Sequence, residues 1–191
     1  MRKLVLASGS PRREQLLRQL GLDFTVDPSG YPEEAGPGLA PHDLARRLSI
    51  EKAKAAAPRH PDAVVLAADT LGVFEDRIIG KPGDAKEARE ILAMLCGRWH
   101  SVITGFTVMD TESLKCVTES VETLVYLKNL TAAEIGAYVK TGEPLDKAGA
   151  YAIQGMGAAV VERTEGDFFN VVGLPLFAVC RVLEQFDIMV L

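Results

Sequence analysis

No G-x-x-x-x-G-K-[ST] loop occurs in the chain, and no G-x-G-x-x-G follows a strand. Neither common glycine-rich phosphate cradle is therefore present. Gly155-Met156-Gly157 precedes a predicted strand, not a helix, and fails the context test. Any phosphate site here is of another design. The three cysteines, Cys96, Cys116 and Cys180, are far apart and form no C-x-x-C pair, which predicts reduced core thiols. His42, His60 and His100 show no ligand spacing with each other or with cysteine. No basic arm or stripe stands out and the net charge is −5, which argues against a partner that is a nucleic acid polymer or an acidic membrane surface. After Arg2 and Lys3 only four apolar residues precede Ser8-Gly9-Ser10-Pro11, too few for a signal-peptide core. Nothing approaches a membrane span, so the expected location is cytoplasmic. No internal repeat, low-complexity segment or splitting linker appears, and the 191 residues suffice for one full core with a small second lobe at most.

What is present begins at the amino terminus. Leu4-Val5-Leu6-Ala7 reads as a short buried strand, Ser8-Gly9-Ser10 as a tight turn, and the residues from Pro11 as a helix. Ser10 suits the N-cap and Pro11 the first helical position, where its missing N–H costs nothing. Leu16, Leu17 and Leu20 make an apolar stripe that Gly21 ends. Arg12 and Arg13 break a local rule, because the helix macrodipole favours anions in the first turn. A bound polyanion would compensate: free N–H groups, small residues and two guanidiniums form a phosphate seat. A strand–turn–helix start with surface arginines fits the segment equally well.

Along the chain, Asp27 to Pro41 is a loop rich in Pro, Gly and acid, and a helix is predicted from His42 to Ala57. Ala63 to Ala68 is a continuous apolar run, hence a central strand buried on both faces, ending at Asp69-Thr70. A hairpin around Glu75-Asp76 spans Gly72 to Ile79, and Gly80-Lys81-Pro82-Gly83 is a loop. Asp84 and Glu87 open a helix reaching Cys96, with Ala88, Ile91, Leu92 and Leu95 as its stripe. His100–Met109 and Val117–Leu127 read as two long strands joined through Asp110-Thr111-Glu112-Ser113, with Trp99 in core or hairpin packing. Thr131 and Glu134 start a helix ending near Gly142. Asp146 to Gly157 is a glycine-punctuated loop, Ala159–Glu162 a strand, and a last helix begins near Pro175. Interleaved strands and helices with one long hairpin predict a mixed-sheet α/β fold.

Asp69 is the best catalytic candidate, a carboxylate at the carboxyl end of a central strand, where α/β folds place ligand chemistry. An Asx turn ending the strand is the commoner explanation for an isolated Asp-Thr. Taken alone, Lys81 and Lys52 read more simply as solvated lysines. Gln154, between Ile153 and Gly155, presents a donor and an acceptor together and suits a base edge. A role in tying its own loop together is equally consistent. Asp146-Lys147 is either an internal ion pair or a contact to phosphate and metal.

These segments cease to be independent when taken together. Ala7-Ser8-Gly9-Ser10-Pro11-Arg12-Arg13, Ala68-Asp69-Thr70, Gly80-Lys81-Pro82, Asp146 through Gly155 and Asn170-Val171-Val172-Gly173-Leu174-Pro175-Leu176 occur in the order and spacing of the Maf family, which the chain resembles over essentially its whole length. The resemblance implies a single Maf-like domain over residues 1–191, with a Maf/ITPase-like mixed twisted sheet flanked by helices and a substrate cleft between two lobes. It implies a house-cleaning nucleotide pyrophosphatase that splits a nucleoside triphosphate between the α and β phosphates with a divalent cation, Mg2+ or Mn2+. The Ile-Gln-Gly form of the fourth block resembles the branch acting on dTTP and UTP rather than 7-methyl-GTP. By resemblance, Asp69 is the proton acceptor. Arg13, Thr70 and Gln154 match positions tied to substrate choice, Ser8, Arg12, Lys52 and Lys81 match the phosphate site, and Glu33 joins Asp69 near the metal. A homodimer is compatible with this reading. So are a binding protein regulating septum formation and a pyrophosphatase for 7-methyl-GTP or for modified pyrimidine nucleotides. Leu71-Gly72, and Cys96 with Trp99, depart from the family pattern without removing a motif residue.

Overall fold

The computed structural model describes residues 2–32 and 38–191. In chain order the elements are β1 (Leu4–Leu6), α1 (Pro11–Gln19), β2 (Phe24–Val26), α2 (Pro41–Ala56), β3 (Val64–Phe74), β4 (Arg77–Ile79), α3 (Ala85–Leu95), β5 (Trp99–Asp110), β6 (Cys116–Leu127), α4 (Ala132–Lys140), β7 (Val161–Glu165), α5 (Phe168–Val172) and α6 (Leu176–Glu184). The seven-stranded sheet runs β2-β1-β3-β5-β6-β7, with β4 paired to β3. It is mixed: β1 is parallel to β2 and β3, whereas β4 and β7 are antiparallel to β3 and β6. The chain divides into two compact units. One comprises Met1–Asp69, Thr104–Val121 and Gly173–Leu191, and the other Thr70–Ile103 and Glu122–Val172.

In the first unit, β1 is buried throughout because parallel strands flank it on both sides. Side chains alternate across a strand, so Val65, Ala67 and Asp69 of β3 share a face. Val65 and Ala67 pack in one cluster with Val5, Ala7, Ala53, Ala56 and Met109, which places α2 over that face. Gly105 lets α2 come this close. A Cβ there would lie 2.3 Å from the carbonyl carbon and oxygen of Ala45. Beside it, the Ser49 and Thr107 hydroxyls meet at 2.8 Å beneath the helix.

The second unit is built around α3 and α4, whose stripes (Ala88, Ile91, Leu92, Leu95; Ile135, Tyr138, Val139) join Val102, Val125 and Leu127 in one core. Local chemistry sets its element ends. Asp84 accepts from the Lys86 and Glu87 amides at 2.8 Å, and Thr131 with Glu134 forms a reciprocal capping box. Glu75 and Asp76 both adopt positive φ, as a two-residue hairpin turn between Phe74 and Arg77 requires. Trp99 tilts against Tyr126 at 5.3 Å between ring centres, the hairpin packing anticipated for it.

Several elements depart from the sequence reading. Strand β2 was absent from it: Phe24-Thr25-Val26 is short and largely exposed, and only its parallel register on β1 makes it a strand. The short α5 was likewise not foreseen. The strand predicted at Ala159–Glu162 is displaced to Val161–Glu165, since Gly155–Ala159 winds as a 3-10 turn. The thiols are not uniformly in the core: Cys96 and Cys180 are half-buried and Cys116, at the start of β6, is exposed.

Candidate active site

β3 does not end at Asp69. It continues to Phe74, because β4 takes up its backbone ladder from Gly72 onward. The strand end that matters is that of β1, whose last parallel partner on β3 is Leu66, followed by an Ala7 N–H to Leu66 O bond of 2.8 Å. Asp69 therefore lies just past the point where the parallel pairing stops, next to the turn Ser8-Gly9-Ser10. This is the carboxyl-end position that open α/β sheets use for ligands, with the carboxylate inside its strand.

Asp69 is 5% exposed, and Lys52, reaching from α2, is 6% exposed. Lys52 Nζ donates to Asp69 Oδ1 at 2.5 Å. The lysine that reads as a surface residue is thus buried, and its partner explains how: removing two charges from water is tolerated when they are paired in good geometry.

At the β1–α1 turn, Ser10 occupies the N-cap with extended dihedrals, yet its side chain makes no capping bond. The Ser10 N–H instead points to Ser8 Oγ at 3.3 Å. Arg13 Nη1 donates to the same Ser8 oxygen at 3.1 Å, and Arg13 Nε donates to Gly173 O at 2.8 Å. Two of its donors are thus bound to protein acceptors, which fixes the plane of the guanidinium. Arg12, adjacent in the first turn of α1, is half-buried. Within this unit the structure brings together Ser8, in the turn after β1, with Arg13 on α1, and Lys52 on α2 with Asp69 in β3. The anchoring of Arg13 by Gly173 was not legible in the sequence, although Gly173 sits in the fifth motif block.

In the second unit, Thr70 follows Asp69 in β3 and is half-buried, while Lys81 is exposed on the loop after β4. That loop is tied to the fourth block by Gly149 N–H donating to Gly80 O at 3.2 Å. Asp146 and Lys147 form an ion pair with each other. Gln154 is exposed, with no side-chain cap bond to the 3-10 turn that follows it. The loop is held instead by Glu143, which accepts from the Met156 and Gly157 amides at 3.1 and 2.8 Å and from the Tyr138 hydroxyl at 2.8 Å. Burial raises the Glu143 pKa, but these donors outweigh it and the carboxyl is held below its ordinary value. Sequence reasoning missed Glu143, and the Gly-Glu-Pro turn starting at Gly142 was the only hint. Deeper in this unit, His100 Nε2 lies 2.7 Å from the Tyr151 hydroxyl, and burial drives the imidazole pKa down to about 4.

A resident metal cage is not present among the described residues, where no three His, Cys, Asp or Glu side chains gather. Glu33 lies outside the described residues. Asp69 supplies hard carboxylate oxygen, with Oδ1 already on Lys52. That donor set fits a cation such as Mg2+, which binds through one or two carboxylates and substrate phosphates.

A mixed sheet with helices interleaved along the chain defines the class: an α/β protein whose buried Lys52–Asp69 pair lies past the parallel part of the sheet. The chain belongs to the Maf-like protein family, whose profile matches residues 3–186. A relative from Methanosarcina mazei, named dTTP/UTP pyrophosphatase, is 48% identical over 191 residues, covering 100% of this chain and 97% of the relative. Another of that name, from Bacillus cytotoxicus, is 46% identical over 187 residues, covering 98% and 97%. A solved dITP/XTP pyrophosphatase from Mycobacterium abscessus aligns at 15% identity and a TM-score of 0.46, covering 96% of this chain and 98% of that one.

Proposed function

We propose that the protein is a nucleotide pyrophosphatase that hydrolyses dTTP and UTP to the monophosphate and pyrophosphate. The structural observation that carries this reading is the buried Lys52–Asp69 pair beside the Ser8–Arg13 turn, and the names of relatives matching across the whole chain support the substrate.

The chemistry asks for little covalent participation, since neutralising a leaving pyrophosphate and aiming a water in line supply most of the acceleration. Lys52 fixes one oxygen of Asp69, which orients the other to accept a proton from the attacking water. The water oxygen bonds to phosphorus, the bond to the bridging oxygen between the α and β phosphates breaks, and its electron pair leaves with pyrophosphate. Arg12, Arg13 and Lys81, with the uncapped first turn of α1, offset the charge of the phosphates. Arg13 is pre-oriented for that task by Gly173 O and Ser8. A Mg2+ or Mn2+ carried in with the triphosphate would neutralise phosphate oxygens; were Asp69 to hold it through its second oxygen, the metal would activate the water in place of proton acceptance by the carboxylate. Gln154 matches the O4 and N3–H edge shared by uracil and thymine, an acceptor and a donor side by side, and Thr70 assists substrate choice.

The test is a pyrophosphate-release screen with Mg2+ and Mn2+ against the common ribo- and deoxyribonucleoside triphosphates and 7-methyl-GTP. Selective release from dTTP and UTP is the expected result. Release mainly from the methylated purine would keep the reaction and overturn the base assignment. Binding without release from any of them would replace the enzyme with a nucleotide-binding regulator.

A further inference from the structure

Gln154 is exposed and its own loop gives it no support, yet reading a base edge requires a fixed amide. A glutamine free to rotate could present either its donor or its acceptor first, and neutral cytosine reverses the pattern of uracil at that edge. Something other than Gln154 has to hold the loop in one shape.

The structure supplies that support to the loop backbone from Tyr138 on α4 and Glu143 in the turn after it. The Tyr138 hydroxyl accepts from Ala152 N–H at 3.1 Å and donates to Glu143 Oε1 at 2.8 Å. The same Oε1 accepts from Gly157 N–H at 2.8 Å, and Oε2 accepts from Met156 N–H at 3.1 Å. The two side chains therefore grip the backbone on both sides of Ile153-Gln154-Gly155, at Ala152 before it and at Met156 and Gly157 after it. Tyr138 is 5% exposed, so the anchor sits in the core. Two glycines permit the grip. Gly155 has φ +65, and a Cβ there would lie 2.5 Å from Glu143 Oε2. A Cβ on Gly157 would lie 2.7 Å from the Tyr138 hydroxyl and 1.9 Å from Ala152 O. Close approach to the carboxylate demands glycine at 155, and close approach to the Ala152 carbonyl and the Tyr138 hydroxyl demands it at 157.

We infer that Glu143 and Tyr138 are positioning residues for base selection, holding the Gln154 turn in the single conformation that favours a uracil-type edge over a cytosine-type edge. This inference rests on the proposed role of Gln154. A carboxylate collecting three donors makes stronger, charge-assisted bonds than a neutral acceptor. A turn held before the ligand arrives avoids the ordering cost at binding, and selectivity is a difference of affinities that a mobile turn beneath the amide would lower. Glu143→Gln keeps the shape but sets an N–H2 group against donors that need an acceptor. Tyr138→Phe removes one hydroxyl and both of its bonds while keeping the ring in the core.

The experiment measures kcat and KM for UTP and CTP in the full-length wild type, Glu143→Gln, Tyr138→Phe, Gln154→Ala and the double variant Glu143→Gln/Gln154→Ala, with thermal unfolding of each. The expected result is a fall of about tenfold in the UTP-over-CTP ratio of kcat/KM in each clamp variant, mostly through a raised KM for UTP. In the Gln154→Ala background Glu143→Gln should have no further effect on that ratio, because it acts through the amide. A general loss of folding would slow both substrates alike. The inference is overturned if the wild type is selective and Gln154→Ala abolishes that selectivity, while both clamp variants keep it. It is also overturned if Glu143→Gln lowers the ratio further in the double variant. If the wild type shows no preference for UTP, or Gln154→Ala leaves it intact, the underlying role of Gln154 falls and the inference falls with it. The first pair of results rejects the clamp alone, the second pair the reading beneath it.

Discussion

Lys52 and Asp69, from a helix and a strand 17 residues apart in sequence, meet at 2.5 Å with both side chains almost wholly removed from solvent. On the proposed mechanism one pair serves both folding and chemistry, and the two roles are separable. Asp69→Asn should reduce turnover at least a thousandfold while triphosphate binding remains measurable, because the proton acceptor is lost and the cations stay. It should also destabilise the fold, since the buried ammonium loses the carboxylate that accepts from it at 2.5 Å, at a cost of about 3 kcal/mol. Replacing both residues, as in Lys52→Met/Asp69→Leu, should restore most of that stability and no activity. Denaturant unfolding alongside pyrophosphate release would separate the effects, and undiminished turnover in Asp69→Asn would remove it from the mechanism.

Arg13→Lys should weaken substrate binding about tenfold with little change in unfolding free energy. A lysine has one charged nitrogen and cannot bond Gly173 O and Ser8 Oγ in the fork that the guanidinium spans. Kinetics with UTP should show the loss mainly in KM. An unchanged KM would mean that the fork does not prepare Arg13 for phosphate.

Gly105→Ala tests how Lys52 is delivered to Asp69. The added methyl has no room against the Ala45 carbonyl, so α2 must lift from β5. A destabilisation of about 3 kcal/mol is expected, with activity lost beyond what partial unfolding explains. Chemical denaturation would measure the first, and turnover at a temperature where the variant is folded the second. A variant as stable and active as the wild type would show that α2 is not seated on this glycine.

His100 predicts a pH effect remote from the site. Its imidazole takes a proton near pH 4 when folded and near 6.5 when unfolded, with burial as the cause. Between those values the unfolded chain holds more protons, so stability falls as pH drops through that window and is fully present above 6.5. The loss should approach about 3 kcal/mol by pH 4. Urea unfolding at pH 7.5 and pH 5 should show it for the wild type, and His100→Gln should flatten the slope. Equal slopes in the two proteins would assign the acid sensitivity elsewhere.

The sequence by itself determined whatever neighbours in the chain can decide. Glu75-Asp76 marked a turn as two charged residues between the apolar pairs Val73-Phe74 and Ile78-Ile79, and both adopt positive φ there. Thr131 and Glu134 opened a helix because a capping box closes within one turn. The unbroken apolar run before Asp69 marked a central strand, since burial on both faces leaves no polar alternation. The motif blocks carrying Ser8, Arg13, Asp69 and Gln154 were ambiguous one by one and became legible only through their order and spacing, which resemble the Maf family. Tertiary structure decided the rest, which depends on atoms far apart in the chain. Phe24-Thr25-Val26 is a strand only because β1 offers it a parallel edge. Asp69 lies inside its strand because β4 extends the ladder beyond it. Arg13 finds Gly173 across 160 residues, and Lys52 changes from an apparent surface lysine to a buried one because Gly105 lets α2 close onto the sheet. Side-chain chemistry is written residue by residue, but charge pairing, desolvation and close backbone approach exist only once distant segments share one volume.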